Sequence, residues 1–221
     1  MSLVTIRGQL GSGAPEIGRQ VANLLHADYV DREVIAEVAA RLHRQEQDVL
    51  EKEMPPSSLL DRIAEALQRS LPFGEGFEGA YLPAWKIPLD DIRYLQTLES
   101  VVKDLARNRP LVILGRGSQF ILRDYPGVLR VQVVAPLPLR MKRVMEERRL
   151  DPEPAKQEIT RFDGSSREFV KRYFRVELED PKYYDLVINT EHLGFQAAAS
   201  IVVQALSFQD PTSGGQSGPG Y

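Results

Sequence analysis

Apolar positions along the chain fall into two recurring patterns. Leu3–Ile6 is a short, nearly continuous apolar run and reads as a buried strand. Gly8–Gly13 interrupts it, and Ile17, Val21, Leu24 and Leu25 then recur at helical spacing. Asp28–Val30 fits a second short strand. From Arg32 one face of a helix is marked by Val34, Ile35, Val38 and Leu42, running toward Lys52–Glu53, where Pro55-Pro56 stops it. Ser58 and Asp61 are spaced as a capping box for a helix carrying Leu59, Ile63 and Leu67. Residues 72–89 are rich in glycine, proline and aromatics and read as a loop. Ile92, Leu95, Leu98, Val102 and Leu105 mark a long helix that ends before Pro110. Leu111–Leu114, closed by Gly115, and Val128–Val134 are further strands. Three helical stretches follow, about 138–149, 153–162 and 165–176. Leu186–Asn189 is the last strand and 195–207 the last helix. The Pro-, Ser- and Gly-containing tail 209–221 is expected to be disordered.

Strands alternating with helices imply an α/β fold with a parallel sheet and right-handed crossovers. In such sheets ligands sit beyond the carboxyl ends of the strands. Gly8–Gly18, Gly115–Gly117 and Asn189–Thr190 all leave predicted strand ends, so the order of elements predicts one shared site.

Glycines between a strand and a helix let successive backbone N–H groups turn inward, and the helix start adds the positive end of its dipole; together they suit a phosphate. Gly8 and Gly13 match the two glycines of the P-loop pattern G-x-x-x-x-G-K-[ST], with Gly11 and Ser12 between them. The lysine position holds Ala14, the hydroxyl position holds Pro15, and Glu16 completes the first helical turn. The backbone cradle is thus retained while the cation must come from elsewhere. A strand–turn–helix junction without a ligand remains the plainer alternative.

Two further places carry candidate chemistry. Asp31, at the end of the second strand, suits either a helix cap or a ligand contact, and Arg32 beside it can reach a phosphate. Arg116 stands between Gly115 and Gly117 directly after a strand. Glycine neighbours permit close approach, and the planar guanidinium fork suits an oxyanion.

Composition narrows the classes. The 221 residues include no cysteine, which excludes disulfides, thiolate metal sites and cysteine nucleophiles. A net charge of −3 argues against a dedicated nucleic-acid binder. No apolar run approaches the ~18 residues of a membrane span, and the start of the chain lacks a signal-peptide pattern, so a cytoplasmic location is expected. Charge is polarised: Arg140–Arg175 holds 11 basic and 7 acidic residues, whereas Asp31–Glu65 holds 5 and 9. If the basic helices fold over the glycine loop, they supply the charge that Ala14 does not.

Taken together, Gly11-Ser12-Gly13 with Glu16-Ile17-Gly18, Tyr29–Ile35, Leu114–Gly117, Val131–Arg143, Asp163 with Arg167, and Tyr184–Thr190 resemble the cytidylate kinase-like family, a branch of the P-loop nucleoside monophosphate kinases. The resemblance spans about residues 3–190. It implies a three-layer α/β/α domain over 1–208, with a five-stranded parallel sheet in the order 2-3-1-4-5. It also implies a helical monophosphate-binding region at about 32–108 and an arginine-bearing lid at about 140–175. It implies ATP and Mg²⁺ as cofactors, with ATP phosphates on Gly8, Gly11, Ser12, Gly13, Ala14, Pro15 and Glu16. The acceptor, CMP or dCMP as first guess, would lie near Asp31, Arg32 and Arg116. Arg140, Arg161 and Arg167 would close over the transferred phosphoryl group. Members of the family commonly lack the loop lysine, but Ala14-Pro15 departs from the Gly-Arg often found there. The expected function is therefore a nucleotide kinase with nucleotide substrates, without nucleic-acid or membrane partners. The alternatives are a nucleotide-binding regulator that has lost catalysis and a kinase for another small acceptor. Metal ligands and oligomeric state stay open at this level.

Overall fold

The computed structural model describes residues 2–31, 99–100, 102–107, 109–115 and 117–208. The chain divides into two compact units, one of residues 1–29 with 110–221 and the other of residues 30–109. The helices expected at 32–53 and 59–67, the loop 72–89, Arg32, Arg116 and the tail 209–221 lie outside the described residues.

Five strands form one parallel sheet: β1 (Leu3–Gly8), β2 (Asp28–Val30), β3 (Leu111–Leu114), β4 (Val128–Val134) and β5 (Leu186–Asn189). Their order is β2-β3-β1-β4-β5, as the sequence resemblance implied. β1 pairs with β3 from Leu3↔Leu111 to Ile6↔Leu114, and with β4 from Leu3↔Val128 to Gly8↔Val133. β4 pairs with β5 from Val131↔Leu186 to Val134↔Asn189. The chain works outward on one side of β1, returns to β3 beside it, then crosses to β4 on the other side. The loop that leaves β1 therefore opens at the point where strand order reverses, which is where α/β sheets bind ligands.

The helices follow from the apolar spacing. α1 (Ala14–Leu25) buries Ala14, Ile17, Gly18, Val21 and Ala22. Leu24, expected on that face, is 54% exposed, because the buried stripe continues through Ala22 instead. Gly18 lets α1 approach β2 closely: a Cβ there would lie 2.8 Å from the Tyr29 ring. α1 and α5 (Phe195–Ser207) share one core with the Val4, Ile6, Val112, Val131, Val133 and Ile188 side chains of the sheet. Each such aliphatic side chain contributes roughly 1.5–3 kcal/mol on burial. On the other face, α2 (Ser118–Ile121), a short helix without a sequence signal, puts Phe120 against Phe174 at 5.1 Å and against Tyr183 at 5.4 Å between ring centroids.

α3 (Leu137–Arg148) appears where the spacing placed it. The two helices expected at 153–162 and 165–176 are instead one helix, α4 (Pro152–Phe174), of 23 residues. The gap between the two expected stretches contains Gly164, and glycine costs about 1 kcal/mol in a helix interior relative to alanine. Here the neighbours override it. Asp163 is pinned by Arg140, and the Ser165 and Ser166 hydroxyls donate back to the carbonyls of Arg161 and Phe162 within the helix. A Cβ at Gly164 would meet nothing within 4 Å. Gly164→Ala should therefore stabilise the chain by about 0.5–1 kcal/mol in urea unfolding; a loss of stability would show that α4 needs a flexible point there.

In the second unit, residues 102–106 are helical, as expected for the stretch ending before Pro110. Val102, Leu105 and Ala106 are buried, and Lys103 pairs with Glu99 one turn back at 2.6 Å. Among the described residues no helix is long and apolar enough to cross a membrane.

Candidate functional site

The carboxyl ends of four strands are tied in a row. Gln9 N–H donates to Val133 O at 3.3 Å, Gly115 N–H to Ile6 O at 2.8 Å, and Thr190 N–H to Val134 O at 2.9 Å. The segments after β1, β3 and β5 thus leave the same end of the sheet, with β4 between β1 and β5.

The loop Gly8–Gly13 folds back tightly over its own start. A Cβ at Gly8 would stand 2.1 Å from the Ala14 Cβ and 2.7 Å from Ser12 Oγ, so only glycine allows this closure. Gly13 is the N-cap of α1 with φ 88°, a left-handed conformation that glycine adopts without steric cost. Ser12 N–H donates to Gln9 O and Ile17 N–H to Gly13 O. The N–H groups of the first turn of α1 have no partner inside the helix, as at any helix start. Pro15 costs nothing there, since its missing N–H is one of those orphans. Glu16 is occupied by its own helix, accepting from Gln20 at 2.6 Å and Arg19 at 3.4 Å.

Charge reaches this loop from α3. Arg143 Nη1 donates to Gly11 O and Ser12 O, both at 3.2 Å, and to Thr190 Oγ1 at 2.8 Å; its Nη2 donates to Thr190 O at 3.0 Å. Thr190 Oγ1 in turn donates to Ser12 O at 2.8 Å. The guanidinium lies 4.9 Å from the centre of the Phe195 ring, which also fills the space beside Gly13. Burial pulls the Arg143 pKa below its ordinary value, yet arginine stays charged throughout the range where proteins work. The arrangement has a directional consequence. A trans peptide aims its N–H opposite its carbonyl. Drawing Ser12 O toward Arg143 turns the Gly13 N–H away from that guanidinium.

Arg140 supports the loop from beneath. Its Nη1 donates to Asp163 Oδ2 at 2.7 Å and to Leu10 O at 3.2 Å, while Asp163 Oδ1 accepts the Leu10 N–H at 3.3 Å. Both side chains are 8% exposed. An arginine–carboxylate pair therefore clamps both backbone groups of Leu10. Arg140 Nε has no hydrogen-bond partner.

The remaining candidates belong to other elements. Arg161 and Arg167 are on exposed positions of α4, Arg167 at 3.7 Å from Glu179. Asp31 follows β2 and belongs to the second unit. Gly115 and Gly117, both at positive φ, frame the turn into α2. Among the described residues no group of three or more His, Asp or Glu side chains gathers to hold a metal ion. Ser12 Oγ, the loop hydroxyl, lies folded over Gly8. Mg²⁺ is ordinarily bound by one or two side chains together with a ligand's phosphates and water, so a site of that kind needs no such cluster.

Sequence reading counted Arg143 within the basic run and Thr190 within a strand end but gave neither a role. Arg143 is one turn beyond Arg140 on α3, and that i,i+3 repeat is the signal that would have found it. Arg7, the last charged residue before the loop, was not singled out; an arginine inside an otherwise apolar strand was the available sign.

A model of the cytidylate kinase-like family matches residues 3–192. The chain is 26% identical over 191 residues to the cytidylate kinase of Methanosarcina barkeri, covering 81% of this chain and 85% of that protein. It is 25% identical over 118 residues to the cytidylate kinase of Halobacterium salinarum, and there the match spans 61% of the relative's length. An uncharacterized protein from Eubacterium ventriosum has the same fold, with a TM-score of 0.67 at 16% identity over 95% of this chain and 100% of that one. Since the family match runs unbroken from β1 past the turn that Arg143 ties to the loop, the chain belongs to the cytidylate kinase-like family.

Proposed function

We propose that the protein is an ATP-dependent phosphotransferase whose acceptor is a nucleoside monophosphate, CMP or dCMP first. The observation that carries this reading is the Arg143–Thr190 tie, which draws the loop carbonyls to one side and leaves the loop mouth and the start of α1 for phosphate. ATP phosphates rest on Gly8, Gly11, Ser12, Gly13, Ala14, Pro15 and Glu16. The acceptor is held from Asp31, Arg32 and Arg116, with the region of about 32–108 as its binding region. Residues of about 140–175 act as a lid, from which Arg161 and Arg167 supply positive charge. Arg140 reaches the phosphoryl group only by letting go of Asp163. Phosphoryl transfer asks for positioning and charge stabilisation rather than covalent chemistry from the protein. Distributed arginines are sufficient in kind, if not in place, for the missing loop lysine.

A second reading has its own support. Ala14 is buried and its Cβ packs over Gly8, so the lysine position of the loop is filled by a small apolar group. A nucleotide-binding regulator without phosphoryl transfer is consistent with that.

Incubating the chain with ATP and Mg²⁺ and a panel of monophosphates, with products separated by HPLC, distinguishes the two. A diphosphate formed with CMP or dCMP above the other acceptors is the expected result. ATP binding without any diphosphate at high enzyme and long times would favour the regulator, or a kinase whose acceptor lies outside the panel.

A further inference from the structure

Arg7 is the last residue of β1 before Gly8, and its side chain is 6% exposed. Neither Nη1 nor Nη2 makes a hydrogen bond. Its one ionic partner is Glu179, with Nη2 3.6 Å from Oε1. The same Oε1 lies 3.7 Å from Nη1 of Arg167 on α4, and it too is buried without a hydrogen bond. Charge-assisted hydrogen bonds between guanidinium and carboxylate close to about 2.7–2.9 Å, and Arg140–Asp163 shows that this chain reaches 2.7 Å where it can. Glu179 therefore stands between two arginines and bonds neither. A buried guanidinium without hydrogen bonds costs several kcal/mol unless something relieves it, and burial already pulls the Arg7 pKa down, offset by Tyr184 and Glu179.

The surroundings leave the Glu179 side chain as the part that can move. Leu178 is buried, and its carbonyl accepts from Tyr184 Oη at 2.6 Å. Glu177 pairs with Lys171 on α4 at 3.0 Å. Asp180 N–H closes a turn onto Glu177 O. The backbone on both sides is thus anchored. Arg167 is half exposed and faces solvent, whereas Arg7 is enclosed. Both arginines face the same oxygen, Oε1, so closing that oxygen onto one draws it from the other.

We propose that Glu179 and Arg7 are positioning residues that govern whether Arg167 is available to an anionic ligand. In the free chain Glu179 restrains Arg167. When phosphate engages Arg167, Glu179 closes onto Arg7, and the hydrogen bonds that buried guanidinium lacks are made at that moment. The relief of Arg7 thus favours ligand binding at Arg167. This rests on the reading of the glycine loop as a nucleotide phosphate site.

The test is ATP–Mg²⁺ affinity of the full chain by titration calorimetry, in Arg7→Met, Glu179→Gln and Arg167→Gln variants and their pairs. With Arg7 gone, Glu179 is left to Arg167 alone, and affinity should fall about 3- to 10-fold; Glu179→Gln frees Arg167 and should tighten binding by a similar factor. Simple long-range electrostatics gives the same two signs, so the pairs decide. In the Arg167→Gln background both effects should vanish. Persistence of either effect there, or equal affinity in the single variants, overturns the proposal. Should Arg7→Met fail to fold, Glu179→Gln with and without Arg167→Gln decides alone, since Glu179 is at the surface. Absence of ATP binding by the unaltered chain would overturn the nucleotide reading and this inference together; binding without coupling through Arg167 would remove only this inference.

Discussion

Arg143→Ala should lower the thermal midpoint by about 4–16 °C and weaken ATP binding at least tenfold. The substitution removes four hydrogen bonds from one charged donor and leaves Gly11 O and Thr190 O without it. Hydrogen bonds to charged groups are worth about 1.5–3 kcal/mol each but do not add when made by one side chain, so a total of about 2–4 kcal/mol is expected. At roughly 2–4 °C per kcal/mol for a chain of this size, that gives the stated shift. Arg143→Lys keeps a charge but loses the fork that spans the loop and β5, and should recover only part of either quantity. Scanning calorimetry and ATP titration read the two effects separately. A lowered midpoint with unchanged ATP affinity would mean that the tie serves stability alone and that the loop is not where phosphate rests.

Breaking the Arg140–Asp163 pair should cost more than replacing it. Each partner is buried, and removal of one strands the other's charge, at about 3–5 kcal/mol. Arg140→Met and Asp163→Leu singly should show losses of that size in urea unfolding. The double variant should return to within about 1–2 kcal/mol of the unaltered chain, since its remaining loss is the Leu10 N–H and C=O left without partners. Additive losses in the double variant would show that the two side chains do not act as a pair. The folded double variant also separates two roles for Arg140. If it only clamps Leu10, diphosphate formation persists with a changed ATP KM. If it touches the transferred phosphoryl group, turnover falls with ATP binding preserved.

Both experiments turn on contacts between residues distant in the chain, from 23 positions for Arg140–Asp163 to 132 for Arg143–Gly11, and that separates what was legible in the chain from what was not. The elements were legible because their signals are local. The apolar run Leu111–Leu114, the spacing of Ile17 and Val21, and the span 195–207 each state their own period. The single helix α4 was missed for the same reason: the local cost of Gly164 is real, but Asp163 next to it is held by Arg140 across 23 positions, beyond a window of about 11–18 residues.

The candidate site divides in the same way. The glycine skeleton from Gly8 to Gly13 announces a phosphate-sized turn by itself, because glycine at those positions reflects backbone geometry. The cations do not announce themselves. The chain holds many arginines, and a basic run on a helix is usually a solvated face. The i,i+3 repeat with Arg140 and the apolar setting of Arg7 draw the eye to both, but their partners are not local: Arg143 spans Gly11, Ser12 and Thr190, and Arg7 lies near Glu179.

By itself the sequence determined the alternation of strands and helices, the family resemblance and the loop after β1. Only the tertiary structure decided which charges serve that loop. Hydrophobic period and turn chemistry are properties of neighbours along the chain, whereas the state of a guanidinium depends on what the folded sheet and helices bring within about 3 Å of it. In this protein that is Asp163 for Arg140 and Thr190 for Arg143, whereas the Glu179 carboxylate stays 3.6 Å from Arg7.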